Sequence, residues 1–411
     1  MLITYFKSAL ALARYRSGPA GPYLDDFSTW LEDQGYRRIG VRRHIREVAH
    51  FADWAKTEGL SVQKCDREAL SKLRNHLSES SYLRYRNGNY THLYQSACVF
   101  VRFLEVSNIV APPTTPQQVP ELVQEFYEWM RVQRGTMDIT LAKYRLPITY
   151  LLQSLGSEPR DYTAKGLREF LLRHTAHSKP GKSKNLATAL RMFLRFLIAR
   201  GDCGAGLDHA IPTVAQWRLS SLPKYLPAND VERLIDSCDN TSPLGARDRA
   251  ILLLIARLGL RAGDVSALKF DDLEWLEGKL IVSGKNRRQT RLPLSQEVGD
   301  AILHYLKHGR AQIVSNCVFI TTTAPLVPIT SKSVSRAVFR ALRRTGISAP
   351  MKGSHLLRHS LATKMLQDGA ALASVGALLR HTSMQTTQVY AKVDFASLKE
   401  VAMPWPEVQS C

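Results

Sequence analysis

Apolar residues recur at helical spacing through the first half of the chain. Leu24, Phe27 and Leu31 fall at i, i+3 and i+7, and after a break at Gly35 a second stripe runs through Val41, Ile45, Val48 and Ala52. The run Ala111-Pro112-Pro113-Thr114-Thr115-Pro116 stops the pattern, since proline cannot continue a helix. Beyond it the pattern returns. Val123, Phe126, Trp129 and Met130 echo Leu24, Phe27, Trp30 and Leu31, and Ile148, Leu151 and Leu152 echo Val48, Phe51 and Ala52. Val101-Arg102-Phe103-Leu104 is matched by Leu194-Arg195-Phe196-Leu197. Two similar helical domains in tandem are expected, at a period too long for a solenoid.

The texture changes after a Gly/Pro/Ser-rich loop from Gly201 to about Pro223. Val231–Ile235 reads as a helix, and Arg247–Leu260 as a strongly apolar one. Residues 279–282 and 291–294 read as two strands joined by a basic turn, Ser283-Gly284-Lys285-Asn286-Arg287-Arg288-Gln289-Thr290. Val318-Phe319-Ile320 is a further candidate strand, and Ser331 to about Lys399 reads as helical. The expected fold class is mainly α, with a small antiparallel sheet in the C-terminal domain (α+β). The expected division is 1–112, 113–205, a linker at 206–222, and 223–411.

With 411 residues the chain is too long for one core and suits two or three domains. The apolar fraction of 45% is ordinary, but a net charge of +20 is not. A surface this basic attracts polyanions. The basic residues run the whole length without a membrane-type amphipathic block, which favours nucleic acid over headgroups or acidic partners. Cys65, Cys98, Cys203, Cys238, Cys317 and Cys411 are scattered, with no Cys-x-x-Cys pair. That argues against structural zinc and against a disulfide framework, and fits a reducing cytoplasm. The N-terminal apolar run is interrupted by Lys7 and lacks a basic segment before it, so it reads as a first helix or docking arm rather than a secretory signal. No stretch reaches transmembrane length.

Candidate chemistry lies in the last third. Arg261 follows the apolar helix in Leu258-Gly259-Leu260-Arg261-Ala262-Gly263-Asp264 and, alone, reads as a cation at a helix C-terminus. Lys285 sits behind a glycine in the basic turn. In His355-Leu356-Leu357-Arg358-His359 the i, i+3 pair His355 and Arg358 shares a helix face. His355 and His359 also have metal-ligand spacing, but no zincin glutamate or third ligand accompanies them. His381 and Tyr390 follow. Together, two arginines, a lysine, two histidines and a tyrosine suit phosphoryl transfer without a metal. Guanidinium forks bind the equatorial oxygens on which negative charge gathers. A tyrosine with a pKa near ~10 needs a base or neighbouring cations to attack at neutral pH.

From about Pro223 to Pro406 the sequence resembles the catalytic domain of the tyrosine recombinase (phage integrase) superfamily. The resemblance rests on 258–264, on 355–363, and on His381 with Tyr390, in that order. The tail, with Tyr390-Ala391-Lys392-Val393-Asp394 and Pro404-Trp405-Pro406, is similar to members carried by mobile elements. The resemblance implies that Arg261 and Arg358 clamp the scissile phosphate and that Lys285 protonates the departing 5′ oxygen. His355 would assist proton transfer, His381 would hydrogen-bond a phosphate oxygen, and Tyr390 would form a 3′-phosphotyrosyl bond. Asp264, where the family often has glutamate, would support the first arginine. Arg380 stands where a glycine commonly precedes the histidine. No cofactor, metal or ATP is implied, and no glycine-rich phosphate loop is found. Residues 118–205 resemble the family's helical core-binding domain, and 20–108 would be an extra, related module.

Double-stranded DNA is thus the expected partner, with a homotetramer on paired sites, no membrane, and a cytoplasmic, nucleoid-associated location. Candidate backbone contacts are Arg37, Arg38, Arg42, Arg43, Lys182, Lys184, Arg191 and Arg195. Residues 395–411 are expected to dock on a neighbouring subunit or on their own domain. The competing readings are a type IB topoisomerase and a DNA-binding regulator with a silent site; tandem helical modules and an intact six-residue set weigh against them.

Overall fold

The computed structural model describes residues 2–79, 90–111, 120–178, 180–213, 222–283 and 289–393. By backbone contacts the chain forms two compact units, one of residues 1–110 with 219–411 and one of 111–218.

The first helical segment is built from Leu2–Tyr5, Ala9–Ser17, Gly21–Asp33, Arg38–Thr57, Arg67–Glu79 and Tyr90–Val106. The stripe read from the sequence is its core: Leu24, Phe27, Leu31, Val41, Ile45, Val48 and Phe51 are fully buried. Phe27 meets Phe100 edge-on at 5.1 Å and Phe103 at 5.2 Å, and Trp30 lies 5.9 Å from Phe103. The 111–218 unit uses Glu121–Arg134, Asp138–Leu155, Ala164–Thr175 and Pro180–Arg200. There Phe126 meets Phe193 edge-on at 5.4 Å and Phe196 at 5.6 Å, and Trp129 lies 5.8 Å from Phe196. Both segments therefore join Gly21–Asp33 to Tyr90–Val106, and Glu121–Arg134 to Pro180–Arg200, with the same four-ring arrangement, in which edge-to-face pairs add to plain burial.

The expected linker at 206–222 begins too early. Leu207–Ala210 forms a 3₁₀ turn, and Ala210 and Ile211 are buried in the core of this unit. Two apolar residues inside a Gly-rich stretch carry no period, so pattern reading places them in a loop.

Residues 222–393 hold a third core around the helix Pro243–Leu258, whose Ile251–Ile255 run is buried on all sides. Asp248, fully buried in it, receives a bidentate fork from Arg340 at 2.7 and 2.8 Å. That pair fastens the helix Ser331–Thr345 alongside. A three-stranded antiparallel sheet comprises β1 (Leu273–Glu274), β2 (Lys279–Ser283) and β3 (Gln289–Pro293), in that order. Leu280 pairs with Leu292 and Val282 with Thr290, so Leu280, Val282 and Leu292 all face the core. The turn bearing Lys285 lies outside the described residues.

Val318-Phe319-Ile320 is not the further strand expected. It is buried extended chain held by single contacts, including the Val318 amide on the Leu268 carbonyl at 2.9 Å and an isolated bridge from Ile320 to Pro328. The helical run after Ser331 is four α-helices and a 3₁₀ turn up to Val393. Residues 394–411, including the expected docking tail, lie outside the described residues.

Candidate active site

Gly259 makes the site's geometry possible. It caps Pro243–Leu258 at φ +59°, a conformation that side-chain-bearing residues seldom adopt. A Cβ there would also lie 2.7 Å from Leu379 Cδ2 and 3.2 Å from Leu361 Cδ2. The glycine thus turns the chain out of the apolar helix and lets the segment before His381 come close. Two residues on, Arg261 is the N-cap of the short helix Ala262–Ala267, not a cation at a helix C-terminus. Its amide donates to Asp264 Oδ2 at 3.1 Å.

Arg358 and His359 come from the helix His355–Gln367. Arg358 is 4% exposed, and its guanidinium donates to the carbonyls of Gly259 and Leu379. Arg261 Nη2 reaches the same Leu379 oxygen at 3.5 Å and the Arg380 oxygen at 3.1 Å. Two guanidinium groups therefore converge on one carbonyl oxygen. Burial, with Arg261 and Arg380 nearby, pushes Arg358 down to about 10. Burial also lowers Arg261, with Asp264 opposing the shift and Arg380 adding to it.

Tyr390 lies in the 3₁₀ segment Gln388–Val393, 1% exposed, packed with Ala362, Leu366, Val375 and Leu379. Its hydroxyl is 2.6 Å from His359 Nδ1. Burial pushes the phenol up to about 12, with Arg358 opposing. His359 is pushed down to about 4 by burial and by the nearby His355 and Arg358. At neutral pH the pair is thus a protonated phenol beside a neutral imidazole, the arrangement of a nucleophile next to a base. His381 also falls to about 4, through burial and then Arg358, Arg261 and His359. Its Nδ1 lies 2.8 Å from Thr387 Oγ1, which fixes the ring.

The structure thus gathers Arg261, Asp264, Arg358, His381 and Tyr390 within one segment of the fold. His355 sits at the exposed start of its helix, its ring 6.3 Å from that of His359. Lys285 lies outside the described residues. Among the described residues no group of three or more His, Cys, Asp or Glu side chains is placed to hold a metal. Two neighbours of the site escape sequence reasoning. His359 reads there only as a metal-ligand spacing, although its place beside Arg358, one turn after His355, is the signal. Arg380 reads there as a departure from glycine that either adds a phosphate contact or shifts the start of the following helix; its ion pair with Asp264 is not legible in the sequence.

Of the basic candidates, Arg37, Arg38, Arg42 and Arg43 are exposed on or beside Arg38–Thr57, as are Lys182 and Lys184 on Pro180–Arg200. Arg38 donates to the Thr4 carbonyl at 2.7 Å, and Arg42 lies over the Phe6 ring at 5.5 Å. Arg191 donates to the Ile211 carbonyl at 3.1 Å, and Arg195 pairs with Asp208 at 2.9 Å. These last two fasten the 3₁₀ turn at 207–210, a structural duty the sequence does not reveal.

A mainly helical domain with an edge sheet, paired arginines and a tyrosine is the architecture of a DNA strand-transferase. Residues 224–397 match the phage integrase family. An integrase/recombinase of Sinorhizobium fredii, y4rA, is 34% identical over 98% of both chains. The tyrosine recombinase XerD of Lacticaseibacillus casei is 29% identical over 66% of this chain and 92% of its own. Among solved structures, the XerH site-specific recombinase bound to palindromic difH shares the fold, with a TM-score of 0.54 and 20% identity. That match covers 82% of this chain and 95% of XerH. The chain belongs to the phage integrase family: it is a tyrosine recombinase, an enzyme that cleaves and rejoins DNA strands in site-specific recombination. No helix among the described residues is long and apolar enough to cross a membrane.

Proposed function

We propose that Tyr390 is the nucleophile and that the pocket around Leu379 receives the scissile phosphate. The observation that carries this is the convergence of Arg261 and Arg358 on the Leu379 carbonyl oxygen. A carbonyl oxygen is partly negative, and a phosphate oxygen is a stronger acceptor for the same forks. In this reading DNA displaces the carbonyl, and both guanidiniums meet the non-bridging oxygens. The Tyr390 oxygen then attacks phosphorus, its proton passing to a histidine, His355 or the adjacent His359. The P–O5′ bond breaks, Lys285 protonates the 5′ oxygen, and a 3′-phosphotyrosyl bond stores the phosphodiester energy. His381 donates to a phosphate oxygen, and Asp264 holds the Arg261 backbone. Attack of another strand's 5′-hydroxyl on the phosphotyrosine reverses each bond change, so no ATP is consumed.

The two helical segments and the C-terminal one would bind duplex DNA, with Arg37, Arg38, Arg42, Arg43, Lys182 and Lys184 against phosphates. Arg191 and Arg195 would contribute less, being engaged within the protein. A tetramer on paired sites, as in the lambda integrase tetramer bound to a Holliday junction (TM-score 0.50, 16% identity), would exchange strands to integrate or excise a mobile element. Residues 395–411 would join neighbouring subunits, so their deletion should cost synapsis before single-site binding.

A nicked suicide substrate tests the reading. Wild type should trap a covalent protein–DNA adduct in the presence of EDTA, and Tyr390→Phe should bind the same DNA and trap none. An adduct persisting in Tyr390→Phe would overturn it. Relaxation of any supercoiled plasmid by the monomer would favour a topoisomerase instead.

A further inference from the structure

Arg380 lies between Leu379 and His381, in contact with Arg261 and Asp264, in a conformation the chain adopts at a cost. Its φ is +54°, one of two positive values at non-glycine residues among those described. Its side chain is 7% exposed and donates through Nη2 to Asp264 Oδ2 at 2.6 Å. Asp264 also accepts the Arg261 amide, and Arg261 Nη2 donates back to the Arg380 carbonyl at 3.1 Å. Three residues thus form a closed ring of contacts around the first arginine of the site. Nε and Nη1 of Arg380 are buried with no hydrogen-bond partner among the described residues.

A buried guanidinium with two idle N–H groups is costly unless an acceptor is supplied. Its charge also acts against those of Arg261 and Arg358, so three cations share one carboxylate, Asp264. Such a cluster is under-neutralised by the protein alone, and an anion relieves both deficits.

We propose that Arg380 is an additional catalytic residue, a third guanidinium that donates through Nη1 to a non-bridging oxygen of the phosphate undergoing transfer. This rests on the strand-transfer reading above. Asp264 then serves two arginines, orienting Arg380 by its side chain and Arg261 by its amide. A glycine at position 380, as the family commonly carries, would relieve the strained φ but supply no donor.

The test uses the full chain and the suicide substrate, made once with an ordinary scissile phosphodiester and once with a methylphosphonate, which lacks one charged oxygen. Arg380→Gly relieves the strain and should keep wild-type folding, seen in its thermal melt, and should retain DNA binding. On the phosphodiester its adduct should form about 100-fold more slowly, the usual effect of losing one transition-state donor. Arg380→Lys, which keeps charge without the fork, should fall between. On the methylphosphonate the gap between wild type and Arg380→Gly should shrink towards parity, because the oxygen that Arg380 serves is gone or uncharged. An unchanged phosphodiester rate in Arg380→Gly would overturn the proposal, as would an equal deficit on both substrates, which marks a positioning role only. Absence of any adduct with wild-type protein would instead sink the strand-transfer reading, and this proposal with it.

Discussion

At Tyr390 the fold has made the phenol hydroxyl less acidic, not more. Burial raises the phenol and Arg358 opposes this only in part, which leaves it pushed up to about 12. The neighbouring histidines carry a testable pH signature. His359 and His381 fall from 6.5 to about 4 on folding, both chiefly through burial. Above 6.5 neither state holds the extra protons, and below 4 both do; between, the unfolded chain binds more. Stability is thus fully present above 6.5 and is lost as pH falls towards 4. A series of thermal melts should show Tm declining across that window, more shallowly in His359→Gln or His381→Gln. A flat Tm would mean that these rings are not buried as described. Arg358→Lys should slow adduct formation by about 10²- to 10³-fold, since an ammonium cannot span two acceptors. Of this site, the sequence showed the two arginines, His381 and Tyr390 and their order. It could not show that His359, rather than His355, touches Tyr390. That depends on how a 3₁₀ turn lies against a helix, and no spacing rule encodes it.

Among the elements, the turn at Gly259 decides whether the arginines can meet. Gly259→Ala should destabilise by about 1–3 kcal/mol, from the positive φ together with the Cβ approach to Leu379. Urea unfolding measures this, and a loss under ~0.5 kcal/mol, ordinary for an innocuous surface change, would contradict the packing. Asp248→Asn leaves the Arg340 fork without its charge partner in the core and should cost about 3–5 kcal/mol. Long periodic helices and the β2–β3 hairpin were legible because each repeats its signal over several residues. β1 spans only Leu273–Glu274, too short for any period. Val318-Phe319-Ile320 has strand-like composition, but it is paired through isolated bridges, and composition does not choose a partner. Leu207–Ala210 was lost in a Gly-rich stretch for a similar reason.

For the whole molecule, the charge of +20 and the recurrent four-ring cores say more than any one side chain. Phe27, Trp30 and Phe103 repeat as Phe126, Trp129 and Phe196 in contact as well as in sequence. The XerD relative aligns with 66% of this chain and y4rA with 98%, so the full tandem arrangement is matched in length by y4rA. Affinity for a cognate duplex should fall linearly in log K against log salt, with a slope of about −0.9 per phosphate neutralised. Replacing Arg42 and Arg43 by glutamine should flatten that slope, read by fluorescence anisotropy, and no change would remove this helix from the DNA contact. The measurement that bears most directly on the whole account is mass spectrometry of the nuclease-trimmed, protease-digested adduct. A nucleotide 3′-phosphate attached to Tyr390 is the predicted product; the same mass on any other side chain, or a 5′-phosphate linkage, would contradict it.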